Sequence, residues 1–138
     1  MAFEGPIEDR LLIRERIGAY SDTAFQCDRE AWLANWTDDC IWNTLGQEFR
    51  GKSQLRDQWA KIWESLEKMA FFTEIGAIEV HGKAANARCY CREILFLRDG
   101  SVRKLVGQYD DALVRDNGVW LFARRSYKLL MSEGGPVI

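Results

Sequence analysis

A chain of 138 residues fits one domain and can bury about two thirds of its unfolded surface without help from metal or disulfides. Its 19 Lys and Arg against 21 Asp and Glu give a net charge of −2, and no window gathers basic residues as a nucleic-acid footprint would, so nucleic acid is excluded as a partner. Cys27, Cys40, Cys89 and Cys91 form no CxxC pair, the single histidine, His81, has no zinc-finger spacing to them, and no Gly-rich phosphate fingerprint or His-carboxylate iron site is present. Neither a metal nor another cofactor is expected. No run approaches the roughly 18 apolar residues of a membrane span, and a cytoplasmic protein with reduced thiols is expected.

Helix signals come first along the chain and strand signals last, which predicts a single α+β domain. Leu11, Leu12, Ile13, Ile17, Tyr20, Ala24 and Phe25 recur at three- and four-residue spacings and predict an amphipathic helix over 7–26. Asp28 stands where an N-cap belongs, before a second helix that buries Trp32, Leu33 and Trp36. Thr37-Asp38-Asp39 breaks that helix, and a strand begins at Cys40 and turns at Gly46. Arg50-Gly51-Lys52-Ser53 opens a third helix, with Ser53 as its cap and Leu55, Trp59, Ile62, Trp63 and Leu66 as its apolar stripe. Strands follow at roughly 71–80, 86–98, 103–115 and 119–130, with turns at His81-Gly82-Lys83 and Asp99-Gly100.

The last two strands are joined by Asp116-Asn117-Gly118, and Asn-Gly between alternating runs is a strong hairpin signal because both turn residues tolerate positive φ. Alternation places Tyr109, Asp111 and Leu113 on one face of the first strand. On the second it sets Trp120, Phe122 and Arg124 against Leu121, Ala123, Arg125 and Tyr127. Polar groups set between apolar ones in this way suit a pocket wall, and equally an amphipathic strand with solvated Arg.

The segments YSDTAFQCDREAWLANWTDDCIW, FRGKSQLRDQW, AIEVHGKAANARCYCRE and GQYDDALVRDNGVWLFARRSY resemble SnoaL-like proteins of the nuclear-transport-factor-two superfamily over residues 7–130. The resemblance implies a cone, in which a strongly curved antiparallel sheet wraps a long N-terminal helix, with two further helices and an apolar pocket at the open end (a cystatin-like α+β barrel). Its members include polyketide cyclases, scytalone dehydratase and ketosteroid isomerase, alongside proteins that only bind, so fold alone leaves function open. Many dehydratase-like members use an Asp near the end of the first helix and a His after the third. Counted without gaps, those positions fall on Phe25 and Phe71, and neither ring can accept a proton. Against ketosteroid isomerase, the tyrosine falls on Tyr20 and the protonated aspartate near Asp110, while the general base falls on Thr44. An Arg five residues after the last-strand Trp, as in a dehydrochlorinase of the superfamily, falls on Arg125.

The remaining ionisable candidates are Asp22, which shares a helix face with Phe25, and Glu93, on the strand face of Cys89, Cys91, Leu95 and Leu97. If that face is the interior, Glu93 is desolvated with a raised pKa. The resulting catalytic candidates are Tyr20, Asp22, Glu93 and Arg125, and the pocket candidates are Phe25, Trp42, Phe71, Tyr109, Asp110 and Trp120. Two hypotheses follow: a cofactor-free lyase or isomerase acting on an apolar aromatic or polycyclic ligand, or a non-catalytic binding or oligomerisation module. A partner resembling the small subunit of a ring-hydroxylating dioxygenase is a further alternative. Tyr90, Ile94, Phe96 and Val114 give the outer sheet face an apolar content that suits a homodimer.

Overall fold

The computed structural model describes residues 1–134. Its elements, in chain order, are β1 (Phe3–Glu4), α1 (Ile7–Gln26), α2 (Arg29–Leu33), β2 (Trp36–Thr44), β3 (Gln47–Arg50), α3 (Gly51–Glu64), β4 (Leu66–His81), β5 (Ala84–Leu97), β6 (Val102–Asp116) and β7 (Val119–Glu133). The seven strands form one curved, unclosed sheet in the order β1-β4-β5-β6-β7-β2-β3.

The expected antiparallel meander runs from β4 to β7, with Asn117 and Gly118 at positive φ in the turn between β6 and β7. The sheet is mixed rather than wholly antiparallel. β1, at one edge, pairs with β4 in parallel, and β2, inside the edge strand β3, pairs with β7 in parallel, because long crossovers that include helices separate the two strands of each pair. Helix α1 turns Ile13, Ile17, Tyr20 and Ala24 onto the concave face of the sheet at spacings of four, three and four.

Several expected boundaries move. The second helix is a single turn ending at Leu33, and Trp36 opens β2 instead, its side chain fully buried beside Phe122 of β7. The Asp28 cap is present, its carboxylate accepting from the Ala31 amide at 3.1 Å. Ser53 is not the cap of α3. That position is Arg50, whose amide donates to the Gln54 side chain at 2.8 Å. Strand β4 starts at Leu66, five residues before its expected start.

Polar contacts pin α1 towards its start. Asp9 accepts from the Trp120 indole at 3.0 Å and from Arg115 at 3.1 Å, while Arg16 donates to the Trp120 carbonyl at 2.7 Å and to Asn35 at 2.8 Å. The other end of the concave face is roofed by α3. Arg98, in the β5–β6 connection, holds the end of that helix by donating to the Glu64 carbonyl at 3.1 Å. Between α3 and the sheet lies an open space. No helix among the described residues is long and apolar enough to cross a membrane.

Candidate functional site

That space is a cavity of about 500 Å³, lined in part by α3 and Leu45. Its wall is aromatic: Tyr20 from α1, Trp32 from α2, Trp42 from β2, Trp59 and Trp63 from α3, Phe71 from β4, Tyr109 from β6 and Tyr127 from β7. The rings support one another. Trp32 lies 4.8 Å from Trp59 and 5.5 Å from Trp42, and Tyr20 is 5.7 Å from Phe71 and 6.2 Å from Tyr109, centroid to centroid. Edge and tilted geometries at these separations fix the wall's shape as well as its polarity.

Within this wall stands one carboxylate, Glu93. On β5 the residues Cys89, Cys91, Glu93, Leu95 and Leu97 share the concave face, so Glu93 enters the cavity between its cross-strand partners Phe71 and Leu105. The surface it keeps is cavity surface. Removal from bulk water pushes its pKa from 4.5 up to about 7, opposed in part by a hydrogen bond from the Tyr127 hydroxyl at 3.2 Å. Tyr127 reaches Glu93 by lying across Gly107, where a Cβ would come within 2.3 Å of its ring.

Behind the cavity wall, Arg125 and Asp111 form a buried bidentate pair at 2.7 and 3.1 Å, with the Cys89 sulfur 3.3 Å from the same guanidinium. The guanidinium is stacked among Tyr109, Tyr20 and Phe122, at 3.8, 4.3 and 4.3 Å from their ring centroids. Burial is the largest single influence on it and would lower its pKa, but the Asp111 carboxylate, with smaller contributions from Cys89, Tyr20 and Tyr109, holds it well above the usual arginine range. Arg125 is therefore a fixed cation behind two tyrosines that line the cavity. Burial raises the pKa of Tyr20, and Arg125 opposes the rise. Tyr109 is raised well above its ordinary value, again chiefly by burial. Both phenols remain neutral hydrogen-bond donors at physiological pH.

The structure thus brings Tyr20, Trp42, Phe71, Glu93 and Tyr109 to one cavity and places other candidates elsewhere. Phe25 is 44% exposed and meets Phe72 edge-on at 5.2 Å, outside the pocket. The expectation that Phe25 enters the pocket is corrected, because helical spacing from Tyr20 carries Ala24 inward and leaves Phe25 about 100° further round the helix. Asp22 is corrected for the same reason: two positions past Tyr20, it is exposed and contributes no base to the cavity. Asp110 is exposed and bonded to Gln108, since alternation on β6 turns Tyr109 and Asp111 inward instead. Trp120 is buried but stands towards the start of α1, bonded to Asp9, and does not line the cavity. Arg125 lies behind the wall and not on it. His81 is exposed at the end of β4, and Thr44 lines the cavity.

Strict alternation on β7 also fails, and the failure shapes the site. Ala112 pairs with Arg124 but Leu113 with Phe122, so Ala123 is an extra residue. This bulge lets Trp120 and Phe122 face inward before it, and Arg125 and Tyr127 after it. The bulge has no signature in the sequence. Tyr127, missed as a site residue, was legible as the next residue on the Arg125 face.

Comparison with known proteins agrees with this architecture. A family model for the SnoaL-like domain matches residues 6–126. A crystal structure of a protein assigned as an aromatic ring hydroxylase from Novosphingobium aromaticivorans superposes with a TM-score of 0.89 at 23% identity, covering 96% of each chain. One assigned as a scytalone dehydratase from the same organism gives 0.87 at 21% identity, over 96% of this chain and 91% of that one. A type 2 hexachlorocyclohexane dehydrochlorinase gives 0.85 at 15% identity, over 96% and 92%. No curated protein matches by sequence. At these identities the structural likenesses establish a cystatin-like α+β fold, and the family match over most of the chain establishes that it belongs to the SnoaL-like domain family.

Proposed function

We propose that the protein is a cofactor-free lyase or isomerase that moves a proton on an apolar aromatic or polycyclic carbonyl compound, with Glu93 as the proton carrier. The observation that carries this reading is a carboxylate raised to about 7 inside an aromatic cavity, within reach of the hydroxyl of Tyr127. A base with its pKa near the working pH is both partly ionised and strong enough to take a proton. Glu93 takes a proton from the carbon next to the carbonyl, and the C–H bonding pair shifts to form an enol whose developing oxyanion accepts from the Tyr20 or Tyr109 hydroxyl. Protonated Glu93 then returns the proton to another carbon, completing an isomerisation, or to a β-leaving group that departs with its bonding pair. Arg125 contributes through the tyrosine rings, favouring negative charge at their hydroxyls without touching the ligand.

The names of two neighbours, a scytalone dehydratase and a dehydrochlorinase, support a lyase-type reading. Phe71 in the cavity, at the position the family resemblance gives to a histidine base, favours a second reading in which the cavity binds without turnover. Hydrogen–deuterium exchange separates them. With 2-tetralone as an enolisable probe in D2O, NMR is expected to show saturable, enzyme-dependent loss of the α-proton signal. Glu93→Gln should abolish the exchange and leave probe affinity, measured by tryptophan quenching, within about twofold. Tight binding with no exchange above the Glu93→Gln background would favour the binding reading. Two further elements belong to this proposal: a homodimer formed through the outer sheet face around Tyr90, Ile94 and Phe96, and a cytoplasmic setting, which suits four free cysteines.

A further inference from the structure

We propose that the ligand of this cavity is an organic cation, an aromatic or alicyclic amine or quaternary ammonium, whose charged nitrogen sits between the Glu93 carboxylate and the surrounding aromatic rings. The inference rests on the cavity being the ligand site and is independent of turnover. Its basis is an imbalance of charge. A carboxylate withdrawn from water needs a cation or several hydrogen-bond donors, and among the described residues Glu93 has one protein donor, the Tyr127 hydroxyl, for about four lone-pair sites. Among the described residues no Lys or Arg forms an ion pair with it.

The nearby cations are committed elsewhere or stand beyond ion-pair distance. Arg125 is consumed by Asp111 and is not part of the cavity lining. Arg103 and Lys61 do line the cavity, but each keeps accessible surface of its own, and neither ion-pairs with Glu93. Beside the carboxylate stand Phe71 and Leu105, its cross-strand partners, and Tyr127, and the cavity it enters is lined elsewhere by Tyr20, Trp32, Trp42, Trp59 and Tyr109. Aromatic faces attract a weakly hydrated organic cation, and do so more strongly when water is excluded. One anion within an aromatic box is complementary to a single positive charge on an apolar body.

The test compares phenyltrimethylammonium with its neutral isostere, tert-butylbenzene, by quenching of tryptophan fluorescence in the full-length protein. At pH 8 the cation is expected to bind about tenfold more tightly than the isostere, with the advantage reduced to about twofold in Glu93→Gln. Because the probe's charge is permanent, its affinity should rise from pH 5.5 to 8 as Glu93 ionises, and that of tert-butylbenzene should not. Tyr20, Tyr109 and Tyr127 also line this space and Cys91 is buried next to Glu93 on the same strand face, but all four are raised above their ordinary values, so they do not titrate in that range; the other charged groups of the lining are Arg103 and Lys61. Binding of the isostere with equal or greater affinity would overturn the cation proposal while leaving the cavity as the ligand site. A cation preference that persists undiminished in Glu93→Gln would overturn it too, by locating the charge recognition elsewhere. If neither probe quenches the cavity tryptophans, the cation proposal and the ligand-site reading fall together.

Discussion

Glu93 owes its position to two residues with no charge of their own at neutral pH. Tyr127 supplies the hydrogen bond that stabilises the ionised carboxylate, and Gly107 leaves the space in which the Tyr127 ring lies. Tyr127→Phe removes the donor, so the Glu93 pKa should rise further above about 7, as read by 13C NMR of the labelled carboxyl. Gly107→Ala should act in the same direction by displacing the ring, and a Glu93 midpoint unmoved in both variants would show that the bond is not made in solution. The raised pKa also has a stability signature. Between 4.5 and about 7 the folded state binds more protons than the unfolded state, so this group's contribution is fully present below 4.5 and is lost as pH rises through about 7. Glu93→Gln should abolish that slope and be more stable than wild type at pH 8, by on the order of 3 kcal/mol at most, in urea unfolding followed across pH. Alternation had offered two faces for this strand, and only the curvature of the sheet selects the one carrying Glu93.

At the scale of elements, the β6–β7 hairpin shows which features sequence carries and which it does not. Its tip was readable because Asn117-Gly118 needs positive φ at both residues, found at 50° and 75°. Gly118→Ala meets no neighbouring atom, so its expected cost is backbone strain alone, about 1 kcal/mol in urea unfolding. The bulge at Ala123 was not readable, because an extra residue in one strand is decided by the pairing of both. Without it, strict alternation would keep Arg125 off the inward face that carries Trp120 and Phe122. The register of α1 slipped for a related reason, as a count along the sequence does not fix which of two adjacent residues, Ala24 or Phe25, the helix turns inward. Breaking the Arg125–Asp111 pair should show its structural weight: Arg125→Met leaves Asp111 buried and unpaired, at an expected cost of about 3–5 kcal/mol. Asp22→Asn, on the exposed side of α1, should stay within about 0.5 kcal/mol. Equal effects of the two substitutions would contradict the burial assigned to the pair.

For the whole molecule, the order of elements and the long meander were legible because helical and strand periodicities differ so plainly along the chain. The parallel pairings were not, since they join segments far apart in sequence, Trp36–Thr44 with Val119–Glu133 and Phe3–Glu4 with Leu66–His81. The outer sheet face yields one expectation at this scale. Sedimentation should give a dimer, and Tyr90→Glu combined with Ile94→Glu should give a folded monomer that keeps the cavity; a wild-type monomer would remove the dimer from the proposal. The cavity itself depends on the sheet curving beneath α3, which brings Tyr20, Phe71, Glu93, Tyr109 and Tyr127 from five elements into one space. Everything proposed for that space turns on the state of one carboxylate. A 13C NMR titration of Glu93 in the wild-type protein, assigned by loss of its signal in Glu93→Gln, is expected to give a midpoint near 7, falling when phenyltrimethylammonium is bound. A midpoint near 4.5, unmoved by the cation, would mean that Glu93 is solvated and that the cavity holds neither a neutral-pH base nor a cation site.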